Sequence, residues 1–304
     1  MAVSGTPVSA VPGRSLAFNL LISLRPAQWT KNLLVFAALL FGRRLLDVAA
    51  VAHAAAGFAI FCTLSGTVYL INDIADREID GRHPLKRRRP IASGALPLGV
   101  ALGAAIVLAC GGLASAFVLG WRFGLASAVY LGLLVLYSGP LKHIVIIDVL
   151  TIAVGFVLRA VAGAFAIDVE ISQWLLVCTI LLALFIALAK RRHELVLLAD
   201  GAAGHRPSLG EYSAYLLDQM IGVVAASTLV AYIFYTISPE TQEKFGTAWL
   251  EITIPFPIYG IFRYLYLVHR REGGGSPADL LLTDRPLLAC VALWALSVAF
   301  IIYR

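Results

Sequence analysis

Asn72-Asp73-Ile74-Ala75-Asp76-Arg77-Glu78-Ile79-Asp80 sets four acidic residues at the end of a long apolar run. At roughly 100° per helical residue, Asp73, Asp76 and Asp80 fall within about 60° of one another, so on a helix their carboxylates share one face. Like charges gathered beside hydrocarbon repel one another and lose hydration, and a bound cation relieves both costs. Three hard oxygen donors that leave coordination positions open suit Mg²⁺ shared with the phosphates of a substrate. Asp73, Asp76 and Asp80 are therefore the candidate metal ligands and candidate catalytic residues. A solvated helix end, or an ion pathway, is the competing reading of the same carboxylates.

The elements that must carry this cluster are membrane helices. The chain of 304 residues is 60% hydrophobic and 14% charged, with mean hydropathy +0.86, far from the balance of a soluble domain. The apolar runs predict an all-α, polytopic membrane protein with nine spans, at roughly 31–46, 49–71, 97–119, 123–138, 144–167, 173–189, 218–238, 250–268 and 286–303, most near the ~20 residues needed to cross hydrocarbon. With the N-terminus cytoplasmic, 18 Lys and Arg fall on that side and 5 on the other. The positive-inside rule then places the termini on opposite sides of the cell membrane, the C-terminus outside and every polar motif at the cytoplasmic face.

Residues 1–15 lack a charged segment followed by an apolar core and read as a disordered cytoplasmic tail, leaving 16–304 as one integral-membrane domain. Cys62, Cys110, Cys178 and Cys290 lie inside predicted spans without metal-ligand spacing, so neither disulfide nor zinc is expected. The longest hydrophilic stretches, about 72–95 and 190–217, are read as loops. Pro255 and Pro257 are expected to kink the eighth span, and Gly273-Gly274-Gly275-Ser276-Pro277 reads as a flexible loop.

Cations are the second feature that could do chemistry. Lys86-Arg87-Arg88-Arg89 follows the acidic cluster, either as a headgroup anchor or as a group closing over a phosphorylated substrate. Arg159 lies inside the fifth span, about 16 Å deeper than Asp148 at helical rise. A charge at that depth must face the bundle interior, as a tie to helix carbonyls or as a partner for an acceptor phosphate. Tyr137 suits a membrane-interface belt as well as a substrate contact. His193 is taken as a solvated histidine and given no role.

Asn72-Asp73-x-x-Asp76-x-x-x-Asp80 resembles the NDxxDxxxD motif of the UbiA superfamily of intramembrane prenyltransferases, and the similarity runs over nearly the whole chain. That resemblance implies an all-helical, UbiA-type bundle of nine helices in which the motif holds Mg²⁺ against the diphosphate of a donor. The family's second Asp-rich motif is missing: after the sixth span stands Lys190-Arg191-Arg192-His193-Glu194-Leu195. A site acidic on one side and cationic on the other suits a donor with two separate phosphate groups. This stretch, with Leu24-Arg25-Pro26-Ala27-Gln28-Trp29-Thr30-Lys31-Asn32 and Tyr137-Ser138-Gly139-Pro140-Leu141-Lys142, is similar to the actinobacterial decaprenyl-phosphate phosphoribosyltransferase branch.

The resemblance implies transfer of a phosphoribosyl group from 5-phosphoribosyl 1-diphosphate to a polyprenyl phosphate such as decaprenyl phosphate, releasing pyrophosphate, for cell-wall arabinan precursors. Asp73, Asp76 and Asp80 would hold Mg²⁺, and Asn72 would orient a carboxylate or the ribose hydroxyls. Lys190, Arg191 and Lys142 are the candidates for the donor's 5-phosphate, and Arg25, Gln28 and Lys31 for either phosphate group. Arg77, Tyr137 and Arg159 complete the substrate-binding set. Expected partners are the two substrates and membrane lipid, with no nucleic acid, and such bundles are compatible with homo-oligomers. The acceptor phosphate is already anionic, so no strong general base is needed. A prenyltransferase acting on an aromatic acceptor and a lipid-phosphate transporter are the alternatives.

Overall fold

Hydrocarbon offers no hydrogen-bond partners, so a chain this apolar must satisfy its backbone within helices. The computed structural model describes residues 15–82, 86–198, 207–270, 280 and 283–304, and every regular element among them is helical. Most of the expected tail and the Gly273–Pro277 loop lie outside the described residues. The chain enters through α1 (Leu16–Ser23), whose Ser15 hydroxyl accepts from the Phe18 N–H. A 3₁₀ helix, Pro26–Phe36, runs into α2 (Ala37–Phe41). Then follow α3 (Val48–Ala75), α4 (Arg77–Arg82), α5 (Leu98–Leu119), α6 (Trp121–Ser138) and α7 (Ile147–Ala166). The second half comprises α8 (Gln173–Leu198), α9 (Pro207–Gly210), α10 (Ala214–Ile237), α11 (Pro239–Phe245), α12 (Pro255–Arg270) and α13 (Arg285–Tyr303).

Seven of these helices, α3, α5, α6, α7, α8, α10 and α13, are long and apolar enough to cross a membrane. The expected first and eighth spans are composite. The first is the 3₁₀ segment and α2, and the eighth is a short 3₁₀ turn, Trp249–Thr253, leading into α12. Pro255 and Pro257 therefore open α12 and do not kink its middle, since a proline in the first turn removes only an N–H that has no helical partner. A second difference concerns Lys190–Leu195, expected in a loop. It forms the last turns of α8, because Lys, Arg, Glu and Leu are good helix formers and Lys190 sits one turn from Glu194, 3.9 Å apart.

Two apolar cores share α7 as a common wall. The first packs Val35, Phe61, Leu64, Phe123 and Tyr130 against Ala162 and Ala164. The second packs Val149 of α7 with Phe185, Leu217, Tyr264 and Leu287. Large apolar side chains such as Ile106, Val107 and Val118 of α5 point outward, as lipid-facing positions do. Gly163 explains how the 3₁₀ segment reaches the interior: a Cβ there would collide with the Val35 backbone. At the last hairpin, Asp284 caps α13 by accepting from the Leu287 N–H at 2.9 Å and receives both prongs of the Arg263 guanidinium, at 3.1 and 2.8 Å.

Candidate active site

Helix α3 ends in negative charge, although the dipole of a helix disfavours anions at its C-terminus. Asp73 lies in the last turn, Asp76 is the C-cap and Asp80 belongs to α4. Asp73 and Asp80 are each only 2% exposed. Such carboxylates need cations, and the fold brings them from three segments, two of them distant in sequence and one the connection just after α4. Arg25 ion-pairs with Asp73 and lays its guanidinium over the Tyr69 ring, 4.7 Å from the centroid. Arg89 Nη1 donates to Asp73 Oδ1 at 3.0 Å and to Asp80 Oδ2 at 2.5 Å, bridging the two acids. Lys142 Nζ reaches Asp76 Oδ1 at 2.5 Å, while Asn72 Nδ2 donates to Asp76 Oδ2 at 3.1 Å.

The backbone is bent to make these contacts. Arg25 has φ 52°, a left-handed conformation rare for a residue with a side chain, and Pro26 follows it. Proline disfavours the right-handed helical region for the residue before it, which accounts for the break after α1, whereas the left-handed backbone of Arg25 goes beyond that preference for extended conformations. Lys142 is buried in a 3₁₀ turn, Leu141–His143, between α6 and α7. Lys86 Nζ stands 4.0 Å from Asp80 Oδ1, and burial pulls its pKa below the usual lysine range against the pull of that carboxylate.

On the facing side, Lys190 is half-buried beside Glu194. Arg191, expected to meet the donor's 5-phosphate, is 2% exposed and already engaged: it pairs with Glu194, lies 3.1 Å from Asp148 and donates to the Tyr137 hydroxyl at 3.4 Å. Gln28 and Lys31 are half-buried on the 3₁₀ segment, and Arg77 is exposed on α4.

Arg159 is separate from this cluster. It is 5% exposed, and its guanidinium donates to Asn32 Oδ1 at 2.8 Å, to the Gly155 carbonyl at 3.0 Å and to the Tyr130 hydroxyl at 2.6 Å. Among the described residues no carboxylate lies within ion-pair distance of it. The carbonyl tie, one of the two expectations for this residue, is present.

Sequence reasoning did not single out Arg89 from its basic run, nor Glu194, Tyr69, Tyr212 or Asp148 as site neighbours. Glu194 had a local signal, one helical turn beyond Lys190 and Arg191. Among the described residues, no three His, Cys, Asp or Glu side chains are gathered tightly enough to hold a metal in this arrangement. Asp73 and Asp80 instead converge on one Arg89 nitrogen, and Asp76 turns to Lys142.

Residues 31–281 match the UbiA prenyltransferase family. The chain belongs to that family. This UbiA protein is 35% identical over 310 residues to the decaprenyl-phosphate phosphoribosyltransferase of Mycolicibacterium smegmatis, covering 97% of this chain and 96% of the relative. It is 33% identical over 303 residues to the enzyme of the same name from Corynebacterium glutamicum, covering 96% and 89%. A UbiA homolog from Archaeoglobus fulgidus, solved bound to DMAPP and Mg²⁺, superposes with TM-score 0.72 at 21% identity over 93% of this chain and 98% of that one. The all-helical UbiA fold and the multi-pass membrane character expected from sequence are both established.

Proposed function

We propose that this UbiA protein transfers the 5-phosphoribosyl group of 5-phosphoribosyl 1-diphosphate to decaprenyl phosphate or a similar polyprenyl phosphate, releasing pyrophosphate. The observation that carries the reading is near full-length identity of 32–35% to relatives of that named activity, on a chain whose second motif is cationic where an acidic one was expected. The bond between C1 of ribose and the diphosphate oxygen breaks as an oxygen of the lipid phosphate attacks C1 from the opposite face. Inversion gives a β-linked phosphoribosyl lipid, the precursor class for cell-wall arabinan.

By donor chemistry Asp73, Asp76 and Asp80 suit a hard divalent ion, since all three offer carboxylate oxygens and Asp73 and Asp80 already converge on one cationic atom, while Asp76 would have to leave Lys142 to join them. Mg²⁺ held there would neutralise charge growing on the leaving diphosphate. Asn72 holds the Asp76 carboxylate in place. Arg25 at Asp73 and Lys142 at Asp76 would pass to phosphate oxygens as substrate arrives, and Gln28 and Lys31, on the 3₁₀ segment that Arg25 precedes, are assigned to either phosphate group. Lys190 is assigned to the donor's 5-phosphate. The cation bias of the chain supports a cytoplasmic N-terminus and a cytoplasmic site.

The test is transfer of label from radiolabelled phosphoribosyl diphosphate into decaprenyl phosphate by the purified full-length protein, with and without Mg²⁺. Label in the lipid that requires Mg²⁺ is expected. No label, with a prenyl diphosphate consumed on an aromatic acid instead, would return the chain to the ordinary prenyltransferases. Lipid movement without pyrophosphate release would make it a transporter.

A further inference from the structure

A single carboxylate outside the acidic motif joins the segments that carry the cationic side of the site. Asp148, in the first turn of α7, is fully buried. Its Oδ1 accepts from the Tyr212 hydroxyl at 3.0 Å, and its Oδ2 lies 3.1 Å from Arg191 Nε as a charge contact that is not aligned for a hydrogen bond. The Tyr212 oxygen in turn accepts the Ile146 N–H at 2.7 Å. Burial pushes the Tyr212 pKa up to about 12, so its proton is available to Asp148 throughout the neutral range.

Two features make this more than packing. Ile146 has φ 69°, a strained conformation for a β-branched residue that persists only where surroundings hold it. It ends the connection that carries Lys142, four residues earlier. Arg191 is the largest fully buried side chain described, and a buried ion pair gives little or no net stability over apolar groups of the same volume. What the pair does supply is registry: Arg191 fixes the Tyr137 hydroxyl and Glu194, and Glu194 stands beside Lys190.

We propose that Asp148 is a positioning residue for the donor site, acting through Tyr212 on the turn that bears Lys142 and through Arg191 on Tyr137 and the end of α8. The proposal rests on the phosphoribosyl-donor reading given above. Asp148 touches no substrate. Its loss lets the two cationic segments drift relative to the carboxylates of α3 and α4.

The experiment measures KM for phosphoribosyl diphosphate, kcat and the thermal unfolding midpoint of the full-length protein in detergent, for wild type, Asp148→Asn, Tyr212→Phe and the double variant. Donor KM is expected to rise about tenfold in Asp148→Asn and several-fold in Tyr212→Phe, the scale of one lost hydrogen bond to a charged group. The acceptor KM should stay within about twofold. The double variant should be no worse than Asp148→Asn, because one network is being broken twice. Lower midpoints with an unchanged donor KM per folded molecule, or additive effects in the double variant, would overturn the proposal. If Asp148→Asn does not fold, Tyr212→Phe decides alone, since it leaves both charges paired. Failure of the wild type to transfer phosphoribose would overturn the functional reading itself, whatever the variants do.

Discussion

Two polar clusters in this bundle solve the same problem with opposite partners. At the end of α3, carboxylates meet cations brought from Arg25, Arg89 and Lys142, each on a different segment. Deep in the bundle, Arg159 meets neutral groups on the 3₁₀ segment, α6 and its own helix. Both use a guanidinium over a tyrosine face, at 4.7 Å in each case. The first set is built of charge pairs that a phosphate or a metal can displace. The second is saturated by dipoles that no incoming anion replaces without stranding Asn32 and Tyr130. On the proposed reading, exchangeable pairing belongs to the candidate site and fixed pairing to the scaffold.

Breaking the acidic side should have the largest effect. Asp73→Asn is expected to lower turnover at least about a hundredfold, the scale of losing one electrostatic contact to a developing charge, with an unfolding midpoint near that of wild type. Near-normal turnover in the folded variant would remove the metal-site assignment. Arg159→Met should show the reverse pattern: a loss of about 2 kcal/mol in stability from stranded hydrogen-bond partners, read by thermal unfolding, with residual turnover per folded molecule. A stable Arg159→Met protein that cannot use the lipid acceptor would move Arg159 from scaffold to site.

The comparison sharpens with smaller changes. Lys142→Ala should raise donor KM about tenfold, because it removes the cation facing Asp76, while kcat falls less. An unchanged KM would leave that lysine as a mere partner of Asp76. Arg192→Ala should do least. Its pairing with Asp218, at 3.3 Å for the longer contact, is partly exposed, and such pairs contribute at most about 1 kcal/mol. Donor KM is expected to stay at the wild-type value, and a rise would extend the site along α8.

The acid motif was visible as a spacing, but the single helix face it implied is not what forms: the helix breaks at Asp76, so Asp73 and Asp80 meet at Arg89 while Asp76 turns to Lys142. Its counter-charges were not visible, since Arg25 lies 48 residues before Asp73 and Lys142 lies 66 after Asp76. The left-handed turn at Arg25 and the 3₁₀ turn that buries Lys142 aim them at the acids. The extent of α8 was missed because charge was read as loop, whereas helix propensity continues past the hydrocarbon boundary into Lys190–Glu194. Asp148 carried no signal. One acid at the start of a span resembles an ordinary helix N-terminus, and its partners come from α8 and the approach to α10. The 3₁₀ course of Pro26–Phe36 was equally hidden, because its composition is that of an ordinary span.

Asp284 holds α13 by its cap and α12 by Arg263, so the last two helices are registered to each other by side chains as well as by the covalent chain between them. One carboxylate thus acts as a rivet: without it, α13 would lose its first-turn cap and its tie to α12 together.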